Sequence, residues 1–338
     1  MGELRMSSLI DNFGRNHRDL RVSLTDRCSL RCKYCMPHDF SDWLKSDHLL
    51  NTEELLSVIS VAVDEGIEEI RLTGGEPLLR ADIVEIVSRI SSLPNAPALS
   101  LTTNGLRLAE LAKPLADAGL ERINVSLDTL DRKRFITLTH RDRIEDVFAG
   151  LRAARLAGLA PIKINSVLLK DVNDDEAPSL LKWAMTEGFS LRFIEQMPLD
   201  AGGIWDRETM VTGGAVLAAL SEDFDLMPVP DRGSSPSEEF YINGTQETVG
   251  IIASVTQPFC GACDRLRLTS DGQLRSCLFS LEEIDLRKVL RNSELSKDQI
   301  ALEIGARFHK AVAGKLPGHG INDPTFIQPR RPMSAIGG

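Results

Sequence analysis

No stretch of the sequence approaches the roughly 18 consecutive apolar residues that a membrane-spanning helix requires. The amino-terminal segment MGELRMSSLIDNFGRNHRD also lacks the apolar region of a secretory signal peptide. The absence of both features predicts a cytoplasmic protein with no membrane partner.

Basic residues are fewer than acidic residues. The chain has 39 Lys and Arg residues against 49 Asp and Glu residues, so its formal net charge is −10. This balance excludes a general attraction to nucleic acid or to an anionic membrane surface. Any anionic ligand must therefore meet a local cluster of basic side chains.

The length excludes a small scaffold that depends on disulfides. With 338 residues, of which 42% are hydrophobic and 26% charged, the chain can bury a substantial core by itself. At about 100 to 200 residues per domain, we expect two domains, or one large barrel with an appendage.

Only six cysteines are present, and they fall into two groups of three at opposite ends of the chain. The first group has the spacing C-x3-C-x2-C and the second C-x2-C-x13-C. Three thiolates this close can hold three corners of a cubane iron–sulfur cluster and leave one iron open to a chelating small molecule. The alternatives are a zinc site that His38 completes, incidental buried thiols, or, for the second group, a zinc ribbon that lacks one ligand.

Six strand-like runs alternate with helical patterns over the first two thirds of the chain. The runs cover residues 20–25, 69–73, 99–103, 122–127, 162–168 and 190–194, and a clear helical pattern covers residues 52–65. Strict alternation predicts right-handed crossovers and a parallel sheet, either doubly wound or curled into a barrel.

Chemically informative residues follow the first four strands, at the edge where parallel α/β folds place their sites. These are the first cysteine group, the segment 74–77, Asn104 and Asp128. Residues 228–237 (PVPDRGSSPS) are typical of a linker or mobile loop, and strands over residues 248–256 and 265–269 bracket Cys260 and Cys263.

Basic residues also occur on the predicted strands. Arg21, Arg71, Lys163 and Arg192 lie on strands that should be largely buried, where an unpaired charge is costly unless it faces a wet cavity. Arg265 and Arg267 alternate on a later strand and should face the same side. This pattern favours an anion site.

Four sequence segments resemble the radical S-adenosylmethionine (SAM) superfamily. They are RVSLTDRCSLRCKYCMP, TGGEP, TTNG and INVSLD, in that order. Within the superfamily the sequence most resembles the molybdenum cofactor biosynthesis protein A family, through IKINSV, FIEQM, the second cysteine group and the terminal MSAIGG.

The resemblance implies an α/β fold: a partial (β/α)6 TIM-like barrel over residues 12–228 and a C-terminal α+β domain over residues 229–338. It implies two [4Fe–4S] clusters and SAM as cofactors. The metal ligands would be Cys28, Cys32 and Cys35 for the cluster that binds SAM, and Cys260, Cys263 and Cys277 for the second cluster.

The resemblance also implies contacts to the small molecules. SAM would contact Tyr34, Gly75, Ser126 and Met197; GTP would contact Arg21, Arg71, Thr102 and Lys163, with Arg192 added from its strand position; Arg265, Arg267, Gly337 and Gly338 would take part in catalysis. Arg265 and Arg267 would also bind GTP, and the open iron of the second cluster would bind guanine.

The implied activity is that of a GTP 3′,8-cyclase, a lyase in molybdenum cofactor biosynthesis. A 5′-deoxyadenosyl radical would abstract the ribose C3′ hydrogen of GTP, and the C3′ radical would then attack C8. The resulting aminyl-type radical would take up one electron and one proton to give (8S)-3′,8-cyclo-7,8-dihydroguanosine 5′-triphosphate. The expected partners are cyclic pyranopterin monophosphate synthase and an electron donor such as flavodoxin or ferredoxin, for a monomer or homodimer.

Two alternative functions remain. A radical SAM peptide-modifying enzyme would usually carry more C-terminal cysteines, and an electron-transfer or zinc protein would not need open coordination sites.

The sequence also departs from the family pattern at two places. Glu69 stands where many relatives have a lysine, and PSEEFY stands where they often read PARYY. One phosphate contact is therefore expected to be missing or to be supplied by another residue.

Overall fold

The computed structural model describes residues 8–337, which form twelve β-strands and ten α-helices. The strands are β1 Asp19–Ser23, β2 Glu69–Thr73, β3 Ala98–Thr103, β4 Arg122–Ser126, β5 Ile162–Val167, β6 Ser190–Ile194, β7 Leu226–Pro228, β8 Glu238–Ile242, β9 Thr248–Ile252, β10 Arg265–Leu268, β11 Gln273–Arg275 and β12 Ile284–Asp285. The helices are α1 Thr52–Asp64, α2 Ile83–Ser91, α3 Leu108–Asp117, α4 Arg132–Thr139, α5 Ile144–Leu156, α6 Ala177–Glu187, α7 Gly213–Ser221, α8 Arg287–Leu290, α9 Lys297–Ala313 and α10 Met333–Ile336. Among residues 8–337, no helix has the length and apolar character needed to cross a membrane.

The predicted parallel α/β architecture is confirmed. Strands β1 to β6 lie side by side in sequence order, and each neighbouring pair is parallel. All six predicted strands are present with shifts of one or two residues at their ends. These strands form an open sheet with a helix after each strand, which is the partial barrel that the sequence predicts.

Strands from the C-terminal region extend this sheet at both edges. Strand β10 pairs in parallel with β1, and β9 pairs in parallel with β6. The antiparallel strands β11 and β12 continue one edge, and β8 and β7 continue the other. The second cysteine group thereby comes next to the first strand of the chain, although more than half the sequence separates them.

Side chains alternate between the two faces of the barrel strands. On β1, Leu20 and Val22 are fully buried in the apolar core that the sheet forms with its helices. Arg21, between them, lines a cavity on the opposite face. The pleat therefore directs the basic residue of this strand inward and its apolar neighbours toward the helices.

Helix α1 shows how local sequence signals begin these helices. Asn51 accepts a hydrogen bond from the backbone N–H of Glu54, whose side chain accepts one from the N–H of Asn51. This reciprocal capping satisfies two N–H groups that the helix leaves free. Leu55 and Ile59 then bury the helix against the sheet.

The predicted linker is closely associated with the barrel. Residues 229–237 form no helix or strand, as expected of a loop, but Ser237 is fully buried and Pro236 lines the cavity. The end of this segment is therefore part of the cavity wall.

Candidate active site

Both cysteine groups line the same cavity. This cavity of about 310 Å³ lies at the carboxyl ends of the barrel strands, and all six cysteines border it without forming a disulfide. Of the other predicted site residues, it is lined by Arg21, Tyr34, Arg71, Gly75, Thr102, Ser126, Arg192, Met197, Arg265 and Arg267. Folding therefore brings together two cysteine groups that are far apart in the sequence, with arginines between them.

The first cysteine loop is held by main-chain hydrogen bonds. The Cys32 carbonyl accepts from the N–H groups of Cys35 and Met36, each at 2.9 Å. Arg31 and Lys33 donate their N–H groups to carbonyls at the end of α4, at 3.0 and 2.9 Å. The loop is thus turned so that its three sulfurs face the cavity.

Gly74 and Gly75 are required by the approach of two backbone segments. The N–H of Gly75 donates to the Thr25 carbonyl at 2.7 Å. A Cβ on Gly74 would lie 2.4 Å from that oxygen, and one on Gly75 would lie 2.3 Å from the Arg27 carbonyl. The absence of side chains at both positions therefore lets this backbone approach the segment that leads into the first cysteine group.

Glu76 joins the loops that follow β2 and β3. Its carboxylate is almost fully buried and accepts hydrogen bonds from the Thr103 hydroxyl and the Asn104 N–H, both at 2.7 Å. Burial raises the pKa of Glu76, although these hydrogen bonds oppose the rise. The side chain supports the bend beside the cysteine loop, as the sequence predicts.

The buried thiols of the first group suit a metal cluster. Burial raises the pKa of Cys28 to about 11 and that of Cys35 to about 12, so both sulfurs stay protonated at neutral pH unless a metal binds them. In the part of the chain that the structure describes, no three His, Cys, Asp or Glu side chains converge closely enough for one metal ion. A cubane cluster does not need such convergence, because each thiolate binds a different iron.

Two polar residues flank this loop. The Tyr34 hydroxyl donates to Asp128 Oδ2 at 2.8 Å, and Asp128 Oδ1 accepts from the Val167 N–H at 2.9 Å. Burial raises the pKa of Asp128 to about 6. Asn104 directs its Nδ2 toward Cys28 Sγ at 3.7 Å and Ser29 Oγ at 3.1 Å.

Three arginines form a row across neighbouring strands. Arg267 is in register with Arg21, and Arg21 is in register with Arg71. Within residues 8–337, none of the three forms an ion pair with a carboxylate, and Arg21 Nε is buried without a hydrogen-bond partner. Burial and then the neighbouring arginines lower the pKa of Arg21. A polyanion in the cavity would supply the missing partners.

Two further basic residues, Lys163 on β5 and Arg192 on β6, lie on strands outside this row, and their surroundings differ. Arg192 lines the cavity, and its Nη2 also pairs with Glu239 Oε1 at 3.2 Å. Lys163 does not border the cavity. Asn165, two residues further along β5 and on the same face of the strand, does border it, so Lys163 lies below the cavity wall. Burial and then Arg192 lower the pKa of Lys163 to about 8.

The two departures from the family pattern also have defined partners. Glu69 Oε2 lies 3.6 Å from Arg122 Nη2, in a partly exposed ion pair. Glu239, in the PSEEFY segment, is the carboxylate that pairs with Arg192. Both acidic side chains therefore pair with basic residues of the barrel strands, and one of these, Arg192, borders the cavity.

The second cysteine group lies in a more positive environment than the first. Burial raises the pKa of Cys263, but Arg265 and Lys315 outweigh it and bring that pKa to about 7. The Arg265 guanidinium also stacks over the Phe259 ring, at 4.7 Å from its centroid. This thiolate is stabilised by two cations before any metal binds.

The chain terminus reaches the arginine row. Gly337 has a φ of +90°, and its carbonyl accepts a hydrogen bond from Arg267 Nη1. A Cβ at this position would lie 3.0 Å from side-chain atoms of Ser23 and Thr73. Glycine therefore fits this narrow passage, although Gly337 is not among the cavity-lining residues and Gly338 lies outside the described residues.

Several residues at the site were not among the predicted site residues. Asn104 and Asp128 were noticed for their positions after β3 and β4, and a contact to the cysteine loop could have been expected from that placement. Lys315 and Ser334 reach cysteines from the C-terminal region, and no sequence signal marks them.

Two family models together match most of the chain. The model described as the Radical SAM superfamily matches residues 22–184. The model described as Molybdenum Cofactor Synthesis C matches residues 189–321. The first contains the loop of Cys28, Cys32 and Cys35, and the second contains Cys260, Cys263 and Cys277.

Full-length similarity extends to named enzymes. The GTP 3′,8-cyclase of Streptomyces coelicolor is 55% identical over 333 residues, covering 98% of this chain and 96% of that protein. The GTP 3′,8-cyclase of Mycobacterium marinum is 50% identical over 336 residues, covering 98% of this chain and 92% of that protein.

Solved structures share the fold at low identity. Streptococcus suis SuiB bound to S-adenosylmethionine aligns with a TM-score of 0.62 at 13% identity, over 90% of this chain and 68% of SuiB. The structure of anSMEcpe with bound AdoMet aligns with a TM-score of 0.50 at 19% identity, over 61% of this chain and 57% of anSMEcpe. This likeness shows the fold and carries no information on the substrate.

Proposed function

The chain belongs to the GTP 3′,8-cyclase family of radical SAM enzymes, and we propose that its cavity converts GTP to (8S)-3′,8-cyclo-7,8-dihydroguanosine 5′-triphosphate in molybdenum cofactor biosynthesis. One observation carries this proposal. One cavity is bordered by both cysteine groups and by a row of three arginines that, within residues 8–337, form no ion pair with a carboxylate. Such a cavity suits an anionic substrate that is held between two clusters.

The residues present fit two [4Fe–4S] clusters and SAM. Cys28, Cys32 and Cys35 would hold one cluster, and Cys260, Cys263 and Cys277 the other, each leaving one iron without a protein ligand. When bound, the first cluster and SAM supply the 5′-deoxyadenosyl radical that removes the C3′ hydrogen of GTP. Tyr34, Gly75, Ser126 and Met197 also border the cavity and would hold SAM.

The arginine row would bind the triphosphate of GTP. Arg21, Arg71 and Arg267 are close enough to repel one another, so an anion that lies among them relieves this repulsion. Thr102 borders the cavity beside the row and would add a neutral hydrogen bond. Arg265, next to the second cysteine group, would hold the nucleoside end of the substrate near Cys263.

The terminal glycines would complete the site. Gly337 is already hydrogen-bonded to Arg267, so the tail lies against a residue that also faces the substrate. Gly337 would thereby fix the side chain of Arg267 and exclude water while the radical is present, and the predicted catalytic part of Gly338 lies outside the described residues.

Arg267→Ala should weaken GTP binding by about tenfold or more, because a charged hydrogen bond contributes about 1.5 to 3 kcal/mol. Isothermal titration calorimetry on the cluster-loaded protein would measure the change. Arg18→Ala is the matched control, since Arg18 is half-exposed and pairs with Glu68 at 3.2 Å. Equal GTP affinity in the wild-type and Arg267→Ala proteins would remove Arg267 from the site.

GTP affinity should fall as pH rises through about 8, the pKa of Lys163. Below that pH the ammonium is charged and attracts the triphosphate, whereas above it the free protein loses this charge. Lys163 does not border the cavity, so binding measured between pH 7 and 9 would test whether its charge acts on the triphosphate from behind the cavity wall. Lys163→Arg should flatten the pH profile; a wild-type profile that is already flat would show that Lys163 does not meet GTP.

Partners and domain organisation extend the proposal. An electron donor such as flavodoxin or ferredoxin would reduce the clusters, and cyclic pyranopterin monophosphate synthase would take the product. The protein would act in the cytoplasm as a monomer or homodimer. The chain would divide into a barrel domain over residues 12–228 and a cluster domain over residues 229–338. Strands from both domains belong to one sheet.

An anaerobic assay tests the proposed activity. Cluster-reconstituted protein is incubated with SAM and reductant, with and without GTP, and 5′-deoxyadenosine and nucleotide products are quantified by mass spectrometry. GTP-dependent cleavage with a cyclised product of unchanged mass is the expected result. SAM cleavage that leaves GTP intact would overturn the proposed substrate, and absence of cleavage with both clusters loaded would overturn the enzyme assignment.

A further inference from the structure

A buried polar chain connects the segment before β1 to the second cysteine group. Asp11 Oδ2 lies 3.0 Å from His17 Nε2, and His17 Nδ1 lies 3.4 Å from Lys315 Nζ. Lys315 Nζ in turn lies 3.7 Å from Cys263 Sγ. With its proton on Nε2, the imidazole donates to Asp11 and accepts from Lys315.

Asp11 is the anchor of this chain. Its carboxylate also accepts from Arg15 Nε at 2.6 Å and from the N–H of Phe13 at 2.9 Å. Burial raises its pKa, but these hydrogen bonds outweigh it and lower the pKa to about 2, so the carboxylate is ionised. Arg15 extends from the same carboxylate to the Cys260 carbonyl at 2.7 Å. One carboxylate therefore organises contacts to two of the three cysteines.

Lys315 has surroundings that a purely structural lysine would not need. Its side chain is 5% exposed, and its ammonium donates to the Arg265 carbonyl at 2.6 Å. Among residues 8–337, no carboxylate lies within ion-pair distance of Lys315. The nearest negative charge that the ammonium can meet is the sulfur of Cys263.

Lys315 also lies outside the substrate cavity. It is not among the cavity-lining residues, whereas Cys263 and Arg265 are. The ammonium therefore approaches the cysteine from the protein side and cannot reach a nucleotide. Lys315 can therefore act on the reaction through its two contacts at the second cysteine group, the sulfur of Cys263 and the carbonyl of Arg265.

We propose that Lys315, held by His17 and Asp11, is a positioning residue that donates a hydrogen bond to Cys263 and raises the reduction potential of the second cluster. Hydrogen bonds to ligand sulfurs and nearby positive charge both stabilise the reduced cluster, which carries one more negative charge. This inference rests on the proposed function only in requiring that the second cysteine group holds a cluster.

Lys315→Met removes the charge and the donor while preserving most of the side-chain length. We expect the equilibrium constant for reduction of the second cluster to fall about tenfold, which is about 59 mV for one electron. His17→Asn should shift the potential in the same direction by a smaller amount, because the Arg265 carbonyl still holds the lysine. Lys315→Arg should restore most of the wild-type potential.

The potential is measured by redox titration of the full-length, reconstituted protein, followed by electron paramagnetic resonance. The same chain with Cys28, Cys32 and Cys35 replaced by alanine identifies the signal of the second cluster. Lys310→Met is the matched control, since Lys310 lies on the exposed side of α9 and also loses one positive charge.

Each outcome decides the inference. A lower potential in Lys315→Met and His17→Asn, with Lys310→Met unchanged, would support it. An unchanged potential with intact iron content would overturn it. Loss of the second cluster from Lys315→Met, with the fold retained by circular dichroism, would also overturn it, because the lysine would then hold the cluster in place. Absence of a second cluster from the wild-type protein would contradict the proposed cofactor instead.

Discussion

Cys28→Ala should abolish the cleavage of SAM and, with it, the cyclisation of GTP. The substitution removes one of three thiolates from a site that has no fourth cysteine to replace it. Loss of a residue that only supports a metal ligand costs up to about 100-fold, so loss of the ligand should exceed that. The measurement is 5′-deoxyadenosine formed by the anaerobic, reconstituted protein, together with its iron content.

Cys277→Ala is the matched control because it removes the same atom from the other end of the cavity. This variant should keep the first cluster and cleave SAM, yet form no cyclised product. Both variants should keep the wild-type circular dichroism spectrum, since each substitution removes a single sulfur atom. GTP cyclisation by either variant at the wild-type rate would contradict the roles assigned to the two cysteine groups.

Gly75→Ala should destabilise the protein by about 3 kcal/mol, at the upper end of what an overpacked core costs. A Cβ at this position would lie 2.3 Å from the Arg27 carbonyl and 2.4 Å from the Asp26 carbonyl. Both oxygens are backbone atoms of the first cysteine loop, so relief requires that loop to move. Urea unfolding of the wild-type and variant proteins would measure the loss.

Gly214→Ala is the control for this effect. Gly214 is exposed on α7, and the nearest atom to an added Cβ is the Thr212 hydroxyl oxygen at 3.9 Å. Alanine there should be neutral or stabilising, because glycine is the poorer residue within a helix. If Gly75→Ala were as stable as Gly214→Ala and retained its first cluster, the close approach of the two segments would not be required.

The barrel strands could be predicted from sequence because their signals are local. A run such as EIRLT at residues 69–73 shows its β-propensity and its bounds within a few residues, and the structure places β2 over the same span. The same holds for the two cysteine groups, whose ligand spacing is short. Local patterns also placed Arg21 and Arg71 on buried strands.

The roles of other residues depended on contacts between distant segments. The resemblance implies that Gly75 contacts SAM, and only the structure shows that a Cβ on Gly74 or Gly75 would meet backbone atoms of residues 24–27. Lys315 lies 52 residues from Cys263 and 298 from His17, so no spacing rule would connect the three. The resemblance implies that Lys163 contacts GTP, and only the structure shows that Lys163 lies two residues before Asn165, the residue of β5 that borders the cavity.

The sequence by itself determined the six strands of the barrel, the two cysteine groups and the supply of positive charge, because each of these depends on residues that are near one another in the chain. The tertiary structure alone decided that both sets share one cavity. Strand β10 pairs with β1 only after the chain has completed six βα units, and this pairing sets Arg267 beside Arg21. Such a contact depends on how the whole sheet assembles, because the free energy of a long-range pairing is gained only when the elements between are in place.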